Sequence, residues 1–160
     1  MPPWPDPVER VSRVLRSAAV DARIEELSSE TGSAKAAAEA VGCDLGQIVK
    51  SVVLVCDGRY VVALVPGDRR ADEAALASAL EVRNVRVARA DEVVEATGFE
   101  PGGVAPFPHL GVAQSVIDES LLAHQFVWIG AGTPTHLAAL DPHDLQRLAG
   151  AKPVDLTPPG

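Results

Sequence analysis

The chain has 160 residues, of which 47% are hydrophobic and 22% charged, a composition typical of one globular domain. No run approaches the roughly 18 apolar residues that a membrane span needs, and the start lacks the pattern of a signal peptide, so we expect a cytoplasmic protein. The net charge of −8 argues against strong non-specific binding of nucleic acid, which normally requires a basic surface.

Hydrophobic spacing and turn residues predict helices and strands that alternate irregularly through the first half of the chain. The β-branched run that ends at Cys56, followed by Asp57-Gly58, is the clearest signal and indicates a hairpin. In chain order, the predicted elements are a helix over 6–20, a strand over 22–27, a helix over 34–41, strands over 48–56 and 59–65, and a helix over 71–80.

The second half continues in the same mixed manner, interrupted by a glycine- and proline-rich loop over 98–109 and closed by a proline-rich tail. Such an order predicts an α+β fold with a mixed, mostly antiparallel sheet. We expect a single domain over 1–160, with its core at about 8–156. The predicted elements are a strand over 84–88, a helix capped by Asp91 and ending at Thr97, strands over 110–117, 125–129 and 135–140, and a helix over 141–150.

Lys50 is the first candidate for a functional role, because it lies in a strand whose two faces are otherwise apolar. By alternation it shares a face with Val52 and Leu54. Such a lysine must reach solvent at the end of the strand, pair with an acid, or point into a polar cavity. In a cavity, its ammonium group could meet a phosphate or a developing negative charge.

The loop over 98–109 is the second candidate. Gly102 and Gly103 allow close approach of a ligand to the backbone, and their amides could receive a carbonyl oxygen or an oxyanion. A plain structural turn is the alternative. The length of the loop favours a function, since long irregular loops in compact domains often carry one.

The segment 130–136 is the third candidate. It lacks the complete glycine pattern and the lysine of nucleotide-binding loops, so a turn between strands is the default interpretation. Thr135 and His136 could add a hydroxyl and an imidazole to a cavity wall, although a lone histidine is more often structural.

The sequence offers no conventional nucleophile and no metal site. Ser51 has no histidine near it in sequence, and Cys43 and Cys56 are better explained as small buried residues than as reactive thiolates. The histidines are scattered and the cysteines have no ligand spacing, so we expect neither a metal nor another cofactor.

Six segments, in order, resemble the YbaK/prolyl-tRNA editing domain family. One of them, 47–53, contains Lys50 and matches the strand that carries the key lysine of that family. The resemblance covers roughly residues 8–156. The matching segments are 31–37, 47–53, 65–68, 97–107, 118–122 and 141–145.

The resemblance implies a compact α+β domain with a barrel-like sheet surrounded by helices. It also implies metal-independent hydrolysis of the ester that joins an amino acid to tRNA. The chain resembles the stand-alone members, which edit in trans; the expected substrate is tRNA-Pro carrying a small amino acid such as cysteine or alanine. The expected partner is the acceptor end of the mischarged tRNA, and delivery by a synthetase or an elongation factor is left open.

Position by position, the resemblance implies that Lys50 holds the phosphate or ribose side of the terminal adenosine. Gly102 and Gly103 would bind the aminoacyl carbonyl, and a water assisted by the ribose hydroxyl of the substrate would attack. The further residues expected to bind the substrate are Thr31, Ser51, Phe99, Val104, Ala105, Pro106, Gly132 and His136.

Two other functions stay open at this point. A binding or regulatory module that kept the pocket without turnover would fit the acidic composition. A hydrolase of another small ester or aminoacyl nucleotide would use the same lysine and amides.

Overall fold

Helices and strands alternate irregularly in the computed structural model of the chain, which describes residues 4–30 and 32–156. Two short 3-10 helices, Leu45–Gln47 and Glu119–Ala123, complete the set. The main elements are α1 (Asp6–Ser17), β1 (Ala22–Glu26), α2 (Ala34–Val41), β2 (Val49–Cys56), β3 (Arg59–Pro66), α3 (Glu73–Leu80), β4 (Val85–Val87), α4 (Ala90–Thr97), β5 (Gln114–Asp118), β6 (Val127–Gly130), β7 (His136–Leu140), α5 (Pro142–Ala149) and β8 (Ala151–Val154).

The strands form a three-stranded sheet in the order β1-β7-β6 and a five-stranded sheet in the order β4-β2-β3-β5-β8. The first sheet is antiparallel, whereas the second is antiparallel around β2 and parallel where β5 pairs with β3 and with β8. The predicted α+β fold with a mixed, mostly antiparallel sheet is therefore confirmed. Over the described residues the sheets are not closed into a barrel, and an isolated parallel bridge between Ile48 and Trp128 connects them.

The hairpin of β2 and β3 is built as its sequence predicts. Its register runs from Val49 opposite Pro66 to Cys56 opposite Arg59. Asp57 and Gly58 have φ values of 49° and 82°, which is the left-handed geometry of a tight hairpin turn. This register places Lys50 opposite Val65, near the open end of the hairpin.

Alternation along β2 sends its side chains into two hydrophobic clusters. Val49 and Val53 pack in the larger one, which also holds Phe99 and Ile129. Leu54 packs in a second cluster on the other face. A third cluster joins the two sheets and contains Ala37, Ala38, Ile48, Trp128 and Leu137.

Two predicted element boundaries are wrong for local reasons. The helix α4 begins at Ala90 with Arg89 as its N-cap, so Asp91 is a first-turn residue and not the cap. The strand expected from residue 110 begins at Gln114. In the preceding segment, the Leu110 and Gly111 amides donate to the Ala96 carbonyl at the end of α4 instead of to a neighbouring strand.

The tail also contains a strand that its prolines conceal. β8 pairs in parallel with β5 and includes Pro153 opposite Ile117. Because β8 lies at the edge of its sheet, the missing N–H of a proline is tolerated there.

Candidate functional site

A cleft of about 190 Å³ lies where β2 meets α2, β6 and the glycine-rich loop. The β2 residues in its wall precede the stretch that β4 covers, since the pairing of β2 with β4 begins at Leu54. The lining residues come from separate parts of the chain and are mostly small or apolar: Ser33, Ala34, Ala37, Ile48, Val49, Lys50, Ser51, Gly102, Val104, Trp128, Gly130 and Leu137.

Lys50 supplies the cation of this cleft. The side chain is half-buried, and its Nζ donates a hydrogen bond of 2.5 Å to the carbonyl oxygen of Arg69. Burial, and then the charge of Arg70, lower the pKa of Lys50, while Asp68 acts in the opposite direction. The ammonium group is thus partly desolvated beside another positive charge, an environment that favours a bound anion.

Ser51 lies next to Lys50 and also lines the cleft. Its Oγ is buried, and among the described residues it has no hydrogen-bond partner. A serine nucleophile would require a base in hydrogen-bond contact. This hydroxyl therefore suits hydrogen bonding to a ligand better than attack on one.

The two glycines of the loop have different surroundings. Gly102 is exposed, has a φ of 88° and faces the cleft. Gly103 is buried, and its N–H donates to the carbonyl of Glu100 over 3.0 Å. In the described part of the chain the Gly102 amide has no such acceptor, so Gly102 is the better placed of the two to donate to a substrate oxygen.

Gly103 has a packing role. A Cβ at this position would lie 2.8 Å from the Cα of Thr133 and 2.9 Å from the carbonyl oxygen of Gly132. The loop can approach the turn between β6 and β7 this closely only because residue 103 has no side chain.

Gly130 has a comparable role; it begins the candidate segment 130–136, although it was not among the residues expected to bind the substrate. A Cβ there would lie 2.7 Å from the carbonyl oxygen of Val104. The small residues Ala34 and Ala37 of α2 line the cleft as well. These residues shape the cleft by their small size, which leaves no signal in a single sequence.

Three predicted substrate residues of the loop lie away from the cleft. Phe99 is 1% exposed, and the guanidinium of Arg10 stands 4.7 Å from the centre of its ring. Ala105 is buried in the large core cluster, and Pro106 lines a separate hollow with Phe107 and Pro108. Of this part of the prediction, only Val104 is brought to the cleft.

The turn between β6 and β7, with the first residue of β7, holds two of the expected substrate residues, Gly132 and His136, and neither is among the described lining residues of the cleft. A Cβ at Gly132 would lie 2.7 Å from the carbonyl carbon of Pro7, so this glycine packs on the start of α1. His136 is 2% exposed and its Nδ1 is 2.5 Å from the Thr133 Oγ1, while its neighbour Leu137 lines the cleft. The remaining predicted residue, Thr31, lies outside the described residues.

The described residues contain neither a metal-binding cluster nor a membrane-spanning helix. Across residues 4–30 and 32–156, no group of three or more His, Cys, Asp or Glu side chains could hold a metal ion. No helix in the same ranges is long and apolar enough to cross a bilayer.

The chain is similar to solved structures and to curated proteins. A crystal structure of a proposed trans-editing enzyme for prolyl tRNA synthetase superposes with a TM-score of 0.89 at 35% identity, over 98% of this chain and 100% of that chain. The uncharacterized protein YwhH of Bacillus subtilis is 28% identical over 130 residues, which are 81% of this chain and 82% of YwhH.

Proline–tRNA ligases match a shorter part. The ligase of Lactobacillus gasseri is 39% identical over 85 residues, 53% of this chain but only 15% of the ligase. The chain thus corresponds to a small portion of those enzymes. The model of the aminoacyl-tRNA editing domain family matches residues 28–148, which are most of the chain and include every described lining residue of the cleft. The chain therefore belongs to the aminoacyl-tRNA editing domain family, as its six matching segments predicted.

Proposed function

We propose that the chain is a stand-alone deacylase that hydrolyses the ester of a mischarged aminoacyl-tRNA in the cleft beside Lys50. The observation that carries the proposal is the half-buried ammonium group of Lys50, the one charged side chain among the described lining residues of a mostly apolar cleft. Action in trans is supported by the two relatives whose whole lengths are nearly matched, at 82% and 100%.

The proposed substrate is tRNA-Pro that carries a small amino acid, either cysteine or alanine. A cleft of about 190 Å³ with Ala34 and Ala37 in its wall suits a short side chain. Similarity to proline–tRNA ligases supports tRNA-Pro as the carrier. Hydrophobic pockets discriminate poorly between small side chains, which is why synthetases need a separate hydrolytic step.

The proposed chemistry is attack of a water on the ester carbonyl carbon, followed by cleavage of its bond to the ribose oxygen. Lys50 would hold the phosphate or ribose side of the terminal adenosine, and the Gly102 amide would donate to the developing oxyanion. Because Ser51 has no partnering base among the described residues, a ribose hydroxyl of the substrate is the proposed aid to the attacking water. The products are the free amino acid and the uncharged tRNA.

A deacylation panel tests this proposal. The protein would be mixed with tRNA-Pro charged with alanine, cysteine, serine or proline, beside the variant Lys50→Ala. We expect rapid loss of one mischarged species, no loss of prolyl-tRNA, and no loss of any species with the variant. Equal rates on charged tRNA and on free aminoacyl esters would indicate a general ester hydrolase.

The second candidate is a module that binds an aminoacyl nucleotide in the cleft without turnover. The net charge of −8 motivates it, because binding of a whole tRNA normally requires a basic surface. Binding of a non-hydrolysable aminoacyl-adenosine analogue, with no deacylation of any charged tRNA over a wide pH range, would favour this module.

The proposed setting is the cytoplasm, with the acceptor end of a mischarged tRNA as the direct partner. A synthetase or an elongation factor would hand over this tRNA. Faster deacylation on adding either protein, at fixed tRNA concentration, would identify the delivering partner.

A further inference from the structure

The loop over 67–70, which follows β3, lies against Lys50 and Ala34, two lining residues of the cleft, and we call it the rim. Its Arg69 carbonyl accepts the hydrogen bond from the Lys50 Nζ. At Gly67, a Cβ would lie 2.9 Å from the Cβ of Ala34, a residue of the cleft wall. The loop is therefore fixed against both α2 and the lysine.

The charge on this rim is positive where it faces Lys50. Arg70 influences the Lys50 ammonium more strongly than the nearby Asp68, which acts in the opposite sense. The next carboxylate, Asp72, accepts from the Ala74 amide and so caps α3. The loop over 67–70 itself contains two arginines and one aspartate, a net charge of +1.

Arg70 is itself available for a ligand. Its side chain is exposed. In the described part of the chain it forms no ion pair. A guanidinium presents paired N–H donors that match the oxygens of a phosphate.

We propose that Arg70 binds a backbone phosphate of the RNA strand whose 3′ end enters the cleft. The inference rests on the proposed function, because it assumes that the occupant of the cleft continues as a polynucleotide. The cleft alone accommodates only the aminoacyl end, at about 190 Å³, so the rest of the strand must leave over a rim. Arg70 on the positive rim gives an acidic protein a local contact for that strand.

The chain provides a matched control in Arg59. It is also exposed and without an ion pair over the described residues. It begins β3, whose eight residues separate it from the cleft end of the hairpin by roughly 25 Å. Arg59→Ala removes the same charge from the whole molecule as Arg70→Ala but leaves the rim intact.

The experiment measures binding of fluorescein-labelled, uncharged tRNA-Pro by anisotropy over a series of salt concentrations. We expect Arg70→Ala to weaken binding severalfold at low salt. We also expect it to reduce the slope of log K against log salt by about 0.7 to 0.9, the value for one phosphate contact. Arg59→Ala should keep the wild-type slope, and Arg70→Lys should restore part of the affinity.

The inference is overturned if Arg70→Ala keeps the wild-type slope, if Arg59→Ala loses as much, or if the wild type does not bind the tRNA at all. Because binding of uncharged tRNA needs no hydrolysis, the two proposals can fail separately. A salt slope that depends on Arg70, without any deacylation, would contradict the proposed enzyme activity and support the phosphate contact of Arg70. Deacylation by the wild type, together with an unchanged salt slope for Arg70→Ala, would support the enzyme activity and contradict the phosphate contact.

Discussion

The Nζ of Lys50 donates to the carbonyl oxygen of Arg69, which links β2 to the loop that follows β3. The bond crosses the open end of the hairpin and holds the ammonium group at the cleft wall. It uses one of the three donors of the lysine and leaves the others for a ligand. A charged group is thereby positioned before any substrate arrives.

Replacing Lys50 with alanine should abolish deacylation and keep the fold. We expect kcat/KM to fall about 100-fold or more, the scale for a lost electrostatic contact in a transition state. The melting temperature should change little, because a half-buried lysine at a strand end is not part of the core. Lys152→Ala, on the exposed part of β8, is the control. If the Lys50→Ala protein were unfolded, the result would show that the lysine has a structural role.

Gly103 should be intolerant of even a methyl group. The substitution Gly103→Ala would place a Cβ 2.8 Å from the backbone of Thr133, so the loop and the turn must separate. We expect a loss of about 1–3 kcal/mol in the free energy of unfolding, measured in urea. Gly111→Ala is the matched control, since its Cβ would lie 3.7 Å from the nearest atom found, the Glu95 carbonyl oxygen. Equal stability of the two variants would contradict the packing role.

The size of Ala37 should set which amino acids are accepted. Ala37→Val adds two carbon atoms to the cleft wall and should lower kcat/KM for the larger of two mischarged substrates by about tenfold relative to the smaller. Ala40→Val, on the exposed side of the same helix, controls for the lower helix propensity of valine. The readout is the ratio of rates for cysteinyl- and alanyl-tRNA. An unchanged ratio would place the side-chain pocket elsewhere.

The sequence predicts those features of the fold and of the site that depend on residues close together in the chain. The Asp57-Gly58 hairpin follows from turn chemistry and a β-branched run, both of which a single sequence displays. Lys50 is detectable for the same reason, because a charge in an apolar strand is an anomaly. Phe99 is expected from the resemblance to bind the substrate, but in the structure it is buried and packs against Arg10. This contact joins positions far apart in the chain, so the local sequence does not reveal it. Gly130 contributes through the absence of a side chain, which only the folded neighbourhood reveals.

Stability in acid, below about pH 4.5, should depend on Glu92. The carboxylate of Glu92 accepts from the Arg86 guanidinium at 2.7 and 2.8 Å and from the Arg89 amide at 2.9 Å, with its side chain 10% exposed. The Arg86 hydrogen bonds, and then the Arg89 amide, lower the pKa of Glu92 from the ordinary 4.5 to about 2. Since the unfolded chain binds this proton more readily, the stabilisation is full above pH 4.5 and is lost as the pH falls through about 2.

The variant Glu92→Gln removes this titration and should flatten the fall in unfolding midpoint, measured in urea, between neutral pH and about pH 3. Glu39→Gln, on the exposed face of α2, should keep the wild-type pH dependence. Both substitutions remove one negative charge, so a change in net charge alone would affect them equally. A Glu92→Gln protein whose midpoint falls as steeply as that of the wild type would show that the acid sensitivity arises from other carboxylates.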